Sequence, residues 1–318
     1  DVSLWALGCW WLLVNGACLF FFSFAALCAQ LTGHILALPA LYGIFNVLVL
    51  GLYSVANWVL SESLFGFAGL TDSGWVTALT PLWGMMSAAD WYILGDSAEG
   101  VLTMNDPLTY GLYAAAAVVM AVLALLLYLR RQVETAGDVV AVPWLRPVFK
   151  YGVAVCAGLA FGTATVTVVG LEGSAALWTL ILLWAVVGYF VAEMLLKKSF
   201  RVFRAWKGAV AVALVVVIGY AGVELDLFGY ETRVPLADRV ESVTVRGLSS
   251  EPYDDGDYLN VQLTDPEDVA LVTALHQAVV DQHVNGTDDR PGVAYGTTLA
   301  LDYVMKDGST VQRHFNST

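Results

Sequence analysis

Long apolar runs separated by short polar breaks make up most of the chain. Six runs, at residues 4–30, 35–60, 108–129, 149–171, 175–196 and 208–223, are long enough to cross a hydrocarbon layer of about 30 Å, which takes around 20 helical residues. Trp5, Trp58, Trp144 and Trp206 fall at the ends of these runs, where an indole with one wet edge is well solvated.

The break between the second and third runs is not simply polar. Leu64, Phe65, Phe67 and Leu70, then Trp75, Val76, Leu79, Leu82, Trp83, Met85 and Met86, are too apolar for a free loop, yet Gly69, Gly74, Pro81 and Gly84 interrupt them too often for a span. The pattern predicts two short re-entrant helices lying in or dipping into one leaflet within residues 61–107. Trp75, Leu79, Trp83 and Met86 recur at three- and four-residue spacing, so a helix gathers them on one side, facing lipid or the neighbouring spans.

Beyond Tyr230 the pattern becomes that of a soluble α+β domain. Residues 240–246 and 258–263 alternate like strands, and Asp265-Pro266-Glu267-Asp268 combines a cap, a first-turn proline and acids that face the helix dipole. The helix is expected to run to about His283 with Val272, Leu275 and Val279 on one face. Residues 298–305 and 309–315 predict a hairpin around Asp307-Gly308. The strand over 311–315 has no following partner in the sequence, so an exposed edge and a marginally stable domain are expected.

Charge orients the runs. The 318 residues are 58% hydrophobic and 14% charged with a net charge of -13, far from the composition of an ordinary soluble domain. No lysine or arginine precedes Arg130, most of the acid follows Leu225, and most of the base lies between Arg130 and Lys207. Arg130 and Arg131 follow the third run, Arg146 and Lys150 flank the start of the fourth, and Lys197, Lys198, Arg201, Arg204 and Lys207 fill the gap between the fifth and sixth. The positive-inside rule makes all three places cytoplasmic, which puts 61–107 and everything after Glu224 outside. The expected fold is therefore an all-α polytopic bundle of six transmembrane helices in the plasma membrane, followed by a small α+β extracytoplasmic domain. Its divisions are 1–131 for the first spans, 132–147 for a cytosolic linker punctuated by Gly137, Pro143 and Pro147, 148–230 for three further spans, and 231–318 for the domain. The basic strip from Lys197 to Lys207 is expected to contact anionic membrane lipid. Nucleic acid is excluded as a partner of so acidic a tail.

Cys9, Cys18, Cys28 and Cys156 all lie inside apolar runs, so no disulfide staples the tail. Asp1 stands where an initiator methionine is expected and the first run lacks the basic flank of a signal peptide, so the chain is expected to be a piece of a longer protein.

Candidate chemistry is sparse. The sequence has no Gly-x-x-x-x-Gly-Lys-Ser/Thr loop and no His-Glu-x-x-His, Gly-x-Ser-x-Gly or Cys-x-x-Cys pattern, which weighs against an enzyme and against nucleotide hydrolysis in this chain. No cofactor is implied. Glu193 is the one acid well inside a run, a position that by default marks function. Lys197, four residues on, offers the simpler reading of a satisfied pair with a snorkelling lysine. His34 reads as a wetted turn residue rather than a proton relay. Gly158 and Gly162 form a Gly-x-x-x-Gly face that lets another helix approach. Asp254, Asp255 and Asp257 lack the spacing of a calcium loop, and His276 and His283 are too far apart on their helix for one metal without other ligands. Asn285-Gly286-Thr287 and Asn316-Ser317-Thr318 match the glycosylation acceptor pattern.

The run at 35–60, the broken apolar stretch with Thr80-Pro81-Leu82, and the run ending Leu129-Arg130-Arg131 resemble the fifth span, re-entrant loop and sixth span of an ABC-2 type permease, the membrane subunit of an ATP-binding-cassette transporter. Glu134-Thr135-Ala136-Gly137-Asp138, Leu145-Arg146-Pro147-Val148-Phe149-Lys150-Tyr151-Gly152, Lys198-Ser199-Phe200-Arg201-Val202-Phe203 and Phe228-Gly229-Tyr230-Glu231 are similar to a group of Firmicutes permeases with extra spans and an extracytoplasmic domain. The resemblance implies a non-catalytic permease, an exporter driven by a separate ABC ATPase and paired with a second permease copy or paralogue. The family's first three spans and its main coupling helix have no counterpart here. The resemblance makes Thr32, Gly33 and His34 in the first turn, with Glu134, Asp138 and Arg146 in the linker, the candidate ATPase-facing residues. It makes Trp75, Leu79, Trp83 and Met86 the candidate outer gate. The rival expectation is a membrane sensor whose outer domain detects a cell-wall-active peptide or envelope component.

Overall fold

A computed structural model describes residues 4–71, 74–88, 91–94, 101–104, 106–130, 137–171, 173–227, 229–247, 259–285 and 298–316. Six of its helices are long and apolar enough to cross a membrane: α1 (Leu4–Leu31), α2 (Ala37–Ser63), α5 (Pro107–Arg130), α6 (Leu145–Val169), α7 (Ser174–Lys197) and α8 (Trp206–Glu224). They coincide with the six expected runs to within a few residues. The largest difference is at α6, which begins at Leu145 and so takes Arg146 and Pro147 out of the expected linker and into its first turn, where proline needs no amide hydrogen. At α5 the start is set locally, because the Asp106 carboxylate accepts the Thr109 N–H at 3.0 Å and Pro107 holds the first helical position.

The chain divides into two compact units. One comprises Asp1–Ala56, Thr71–Gly170 and Thr179–Leu214, and the other Asn57–Leu70, Leu171–Trp178 and Val215–Thr318.

In the first unit α1 and α5 pack along their length. Phe20 on α1 meets Tyr113 edge-on at 5.1 Å, and Ala117 is sealed between them. Two short helices, α3 (Trp75–Ala78) and α4 (Pro81–Ala88), close over this pair, with Met85 in the same cluster and the Tyr113 hydroxyl donating to Ala78 O at 2.6 Å. Both short helices therefore come from the second half of the broken stretch. The first half, 64–70, is turn and extended chain rather than helix. A hairpin of β1 (Trp91–Leu94) and β2 (Val101–Met104), which the apolar pattern did not announce, follows α4 in register Trp91↔Met104 to Leu94↔Val101.

The same unit holds the α6–α7 pair. A Cβ placed on Gly158 would sit 2.8 Å from Ala185 Cβ, and one on Gly162 would sit 2.8 Å from Ile181 Cα. The Gly-x-x-x-Gly face thus serves a neighbour within the chain, as close backbone approach requires.

The second unit carries an antiparallel sheet of β3 (Val240–Gly247), β4 (Leu259–Leu263), β5 (Thr298–Met305) and β6 (Thr310–Asn316) in spatial order β4-β3-β5-β6, with α9 (Pro266–Asn285) on one face. The Asp265 side chain accepts the Glu267 N–H at 3.0 Å and Pro266 opens α9, as the sequence predicts. Asp307 Oδ1 accepts the Ser309 N–H and hydroxyl at 2.9 and 2.6 Å, and Gly308 takes a left-handed φ of 81° at the β5–β6 turn.

Two expectations are corrected here. The inward face of α9 is Val269, Val272, Thr273, His276 and Val280, while Leu275 is exposed and Val279 only half-buried. The stripe includes two polar residues that a hydrophobicity count passes over. Thr273 is satisfied by Val269 O at 3.0 Å, and His276 Nδ1 lies 3.1 Å from the Tyr303 hydroxyl. The outer edge of β6, expected to be exposed, is covered instead by the residues that follow α2. Phe67 bridges Arg313, and the His314 N–H donates to Gly66 O at 3.2 Å. Covering a strand edge with another piece of chain satisfies amides that water or another molecule would otherwise take. Phe65 stacks flat on His283 at 3.8 Å and its N–H donates to Glu231 Oε1 at 2.8 Å, so this latch has both an apolar and a polar grip.

Candidate functional site

The α1–α2 turn and the segment before α6 meet. The Gly33 N–H donates to Asp138 O at 2.8 Å, the Gly137 N–H returns to Gly33 O at 2.9 Å, and the Ala141 N–H donates to Leu31 O at 2.9 Å. Reciprocal backbone bonds of this kind hold two loops in register much as a short sheet does. Gly137 permits it with a φ of 87°, and Val140 and Ala141 are buried beneath. The turn itself is self-supported: buried Thr32 accepts the His34 N–H on its hydroxyl at 3.1 Å, and His34 Nδ1 accepts the Leu36 N–H at 3.2 Å. His34 is therefore a turn-forming residue, in agreement with the simpler of its two readings.

Asp138 is the keystone of this platform. Its carboxylate binds Lys198 Nζ at 2.7 Å and Arg146 Nη2 at 3.2 Å, so one side chain ties the turn to the start of α6 and the end of α7. The hydrogen bond from Lys198 holds its carboxyl below the usual carboxylate range, with burial opposing it and the charges of Lys198 and Arg146 adding to it. The arrangement answers an electrostatic problem. Arg146 and Lys150 sit in the first turns of α6, where the helix dipole disfavours cations, and Asp138 supplies the compensating charge at that end.

Glu193 compensates Lys150. Only 6% exposed, it binds Lys197 at 2.7 Å, the expected partner, and also Lys150 of α6 at 3.3 Å. Lys150 Nζ lies 5.1 Å from the Tyr189 ring centroid and 5.3 Å from that of Tyr151, within reach of cation–π attraction. Tyr189 in turn donates to Ala205 O at 3.1 Å, which carries the network to the start of α8. Spacing along the sequence shows the Lys197 partner and is silent on Lys150, which reaches Glu193 from another helix.

The candidate ATPase-facing residues Thr32, Gly33, His34, Asp138 and Arg146 are thus gathered into one surface, and Lys198 joins them. Glu134 lies outside the described residues. Ile35 and Leu36, in the turn just before α2, stand 85% and 74% exposed beside this surface. Exposed aliphatic side chains rimmed by charge are the usual makings of a protein contact.

The four candidate gate residues occupy a different place. Trp75 is on α3, Leu79 at the joint, and Trp83 and Met86 on α4, so no single helix carries them. Pro81 lacks the amide that would continue α3 through the joint and begins a new helix instead. All four are exposed, Trp83 by 57%. Met85 packs with Phe20 of α1 and Tyr113 of α5, Gly84 makes room for the Tyr113 hydroxyl, and Val76 and Thr80 are buried and bonded to each other. Sequence spacing found the outward face, and the inward one escaped because it mixes a threonine and a glycine with its apolar members.

No group of three or more metal-ligating side chains occurs among the described residues. Asp254, Asp255 and Asp257 and most of both Asn-x-Ser/Thr patterns lie outside them. A comparison with protein-family models, curated proteins and solved structures finds no match to this chain.

Proposed function

We propose that this chain is the membrane-spanning, non-catalytic subunit of an exporter driven by a separate ATPase, and that the platform around Asp138 is where the ATPase pushes. The observation that supports this reading most is the pairing of the α1–α2 turn with residues 137–141: two stretches far apart in sequence present one surface, joined by an ion cluster to α6 and α7. A push on such a surface reaches four spans at once, which is what rocking a bundle between two states requires. In this reading the basic residues face the cytoplasm, the C-terminal domain is extracytoplasmic, and α3 and α4 cap the outer end of the path.

The reading is tested by purifying the full-length protein from its native membrane. A nucleotide-hydrolysing subunit should accompany it, ATP hydrolysis should belong to that subunit alone, and Asp138→Lys should release the subunit while the protein still inserts. Purification with no nucleotide-binding protein, or release by no platform variant, contradicts the proposal.

A sensor reading draws on one observation. Residues 65–67 continue directly from α2 into the edge of β6, so a ligand that moved the C-terminal domain would pull on a span. A histidine kinase purifying with the chain in place of an ATPase would favour it.

A further inference from the structure

Six lysines and arginines follow Tyr230: Arg233, Arg239, Arg246, Arg290, Lys306 and Arg313. Arg246 is ion-paired with Asp302 on the neighbouring strand. Arg313 is buried under the Tyr230 ring at 3.8 Å and donates to the carbonyls of Tyr230 and Arg233. Arg290 lies outside the described residues. The three that remain, Arg233, Arg239 and Lys306, all line one cavity of about 440 Å³ between the segment leading into β3 and the β5–β6 turn. Among the described residues none of the three forms an ion pair. Lys306 Nζ spends one hydrogen on Asp238 O at 2.7 Å, which leaves two of an ammonium's three donors available.

Two carboxylates, Asp238 and Asp307, share the lining with the three cations and leave it one positive charge in excess, and Asp307 already feels the charge of Arg239 while accepting the Ser309 amide and hydroxyl. In a segment otherwise dominated by acid, an excess of base at one concave place needs a reason, and a bound anion supplies one. The remaining wall is apolar, with Leu236, Met305 and Val311. The volume falls in the range of roughly 300–1,000 Å³ that small-molecule sites occupy.

The location narrows the ligand. α8 ends at Glu224, and the Asp226 carboxylate then accepts the amides of Tyr230, Glu231 and Thr232 at 2.6, 3.1 and 3.3 Å, which doubles the chain back on itself. The cavity therefore begins a tight turn away from the end of an apolar helix, within the same compact unit.

We propose that this cavity binds a phosphate ester, held by Arg233, Arg239 and Lys306, with the organic part of the ligand lying along Leu236, Met305 and Val311. Guanidinium groups match phosphate oxygens in pairs, and the ammonium adds a point charge. The phosphate comes from a membrane phospholipid headgroup or from a soluble phosphate ester, and the apolar wall favours the lipid. The site is independent of the ATPase reading and stands or falls on its own.

The test uses the full chain in phosphatidylcholine nanodiscs with a trace of phosphatidylglycerol bearing a photoreactive group near its headgroup, and adducts mapped by mass spectrometry. Peptides covering 233–239 and 305–311 should be labelled, and unlabelled phosphatidylglycerol should suppress the signal. Suppression by soluble glycerol phosphate instead assigns the site to a soluble ester and still supports it. The triple variant Arg233→Gln, Arg239→Gln, Lys306→Gln should lose at least about tenfold of the labelling, as expected for losing even one charge-assisted bond. The charge-retaining triple Arg233→Lys, Arg239→Lys, Lys306→Arg should keep most of it. Lys306→Gln alone, with β5–β6 hydrogen exchange unchanged, guards against a folding defect and should lose labelling severalfold. Cavity peptides labelled no more than by a phosphatidylcholine probe, or labelling that survives neutralisation of all three residues, overturns the proposal.

Discussion

The two loops that leave the span bundle to meet another part of the chain are fastened in opposite ways. The α1–α2 turn is joined to residues 137–141 by backbone bonds and by half-exposed ions around Asp138. The stretch after α2 is joined to the C-terminal sheet by backbone bonds to β6, by half-buried Phe65 packing on buried Phe315, and by the Phe65 N–H on Glu231. Exposed ion pairs contribute about 0–1 kcal/mol each, whereas a buried phenyl ring contributes several. The side-chain part of the first joint is therefore weak and that of the second strong, although both joints also carry backbone bonds. Under the transporter proposal the first joint is the moving contact and the second the fixed one, and each prediction below probes one side of that contrast.

The largest effect is expected at the fixed joint. Phe315 is buried against Phe65 at 5.1 Å and His276 at 5.4 Å, so Phe315→Ala should destabilise the C-terminal domain by about 3–5 kcal/mol. Protection of β3, β5 and α9 amides from hydrogen exchange should fall while the spans keep theirs. Equal protection in the variant would show that the latch is superficial.

Acid should separate the joints next. His276, wholly buried, has its pKa pushed down to about 4, first by burial and then by the charge of Arg313. The unfolded chain takes up that proton at about pH 6.5 and the folded domain does not until about pH 4. Between those values the unfolded state binds more protons, so stability rises with pH and falls on acidification. The domain should lose about 2 kcal/mol from pH 7 to pH 5, and His276→Gln should flatten the profile. Asp138 has the opposite sign of charge and a lowered pKa. Its contribution is present above the ordinary carboxylate value and is lost only as pH falls below it, so the platform should be indifferent to the same step. Matching pH profiles for the two joints would remove the distinction.

How much of this was legible in the sequence follows the same division. Span existence, the α9 start at Asp265-Pro266 and the hairpin turn at Asp307-Gly308 were readable because each depends on residues close together in the chain. The cover on β6 was not, since Phe67 and Arg313 are joined by neither spacing nor composition. Lys150 as a partner of Glu193 was hidden for the same reason. The inward face of α9 was misread because Thr273 and His276 are core residues only once Val269 O and Tyr303 are there to satisfy them. For the candidate platform, the sequence supplied its parts, and only the pairing of Gly33 with residues 137 and 138 made them one surface.

A smaller structural effect is expected at the short helices α3 and α4, the proposed outer cap. Trp83 is exposed, so Trp83→Asp should leave the protein folded and inserted while the cost of setting a charge against lipid displaces α4. Export should fail at normal protein levels. Intact export would make α3 and α4 a passive surface and strengthen the sensor reading.

The smallest effect on stability is expected at Asp138. Asp138→Asn removes two half-exposed ion pairs and should cost at most about 1 kcal/mol. Transport should nevertheless fall sharply, because the turn loses its tie to α6 and α7. A large loss of stability with unchanged transport would reverse the comparison.

The central claim is that the platform receives a separate ATPase. It is tested most directly by placing a photoreactive amino acid at Ile35, the most exposed aliphatic side chain of the platform, and irradiating intact cells, with Leu227 beyond α8 as the control position. The account predicts an adduct between Ile35 and a chain that carries a Gly-x-x-x-x-Gly-Lys-Ser/Thr nucleotide-binding loop, strengthened when that chain is held in its ATP-bound state, and none from Leu227. An adduct from Leu227 but not Ile35, or no nucleotide-binding chain at either, would contradict it.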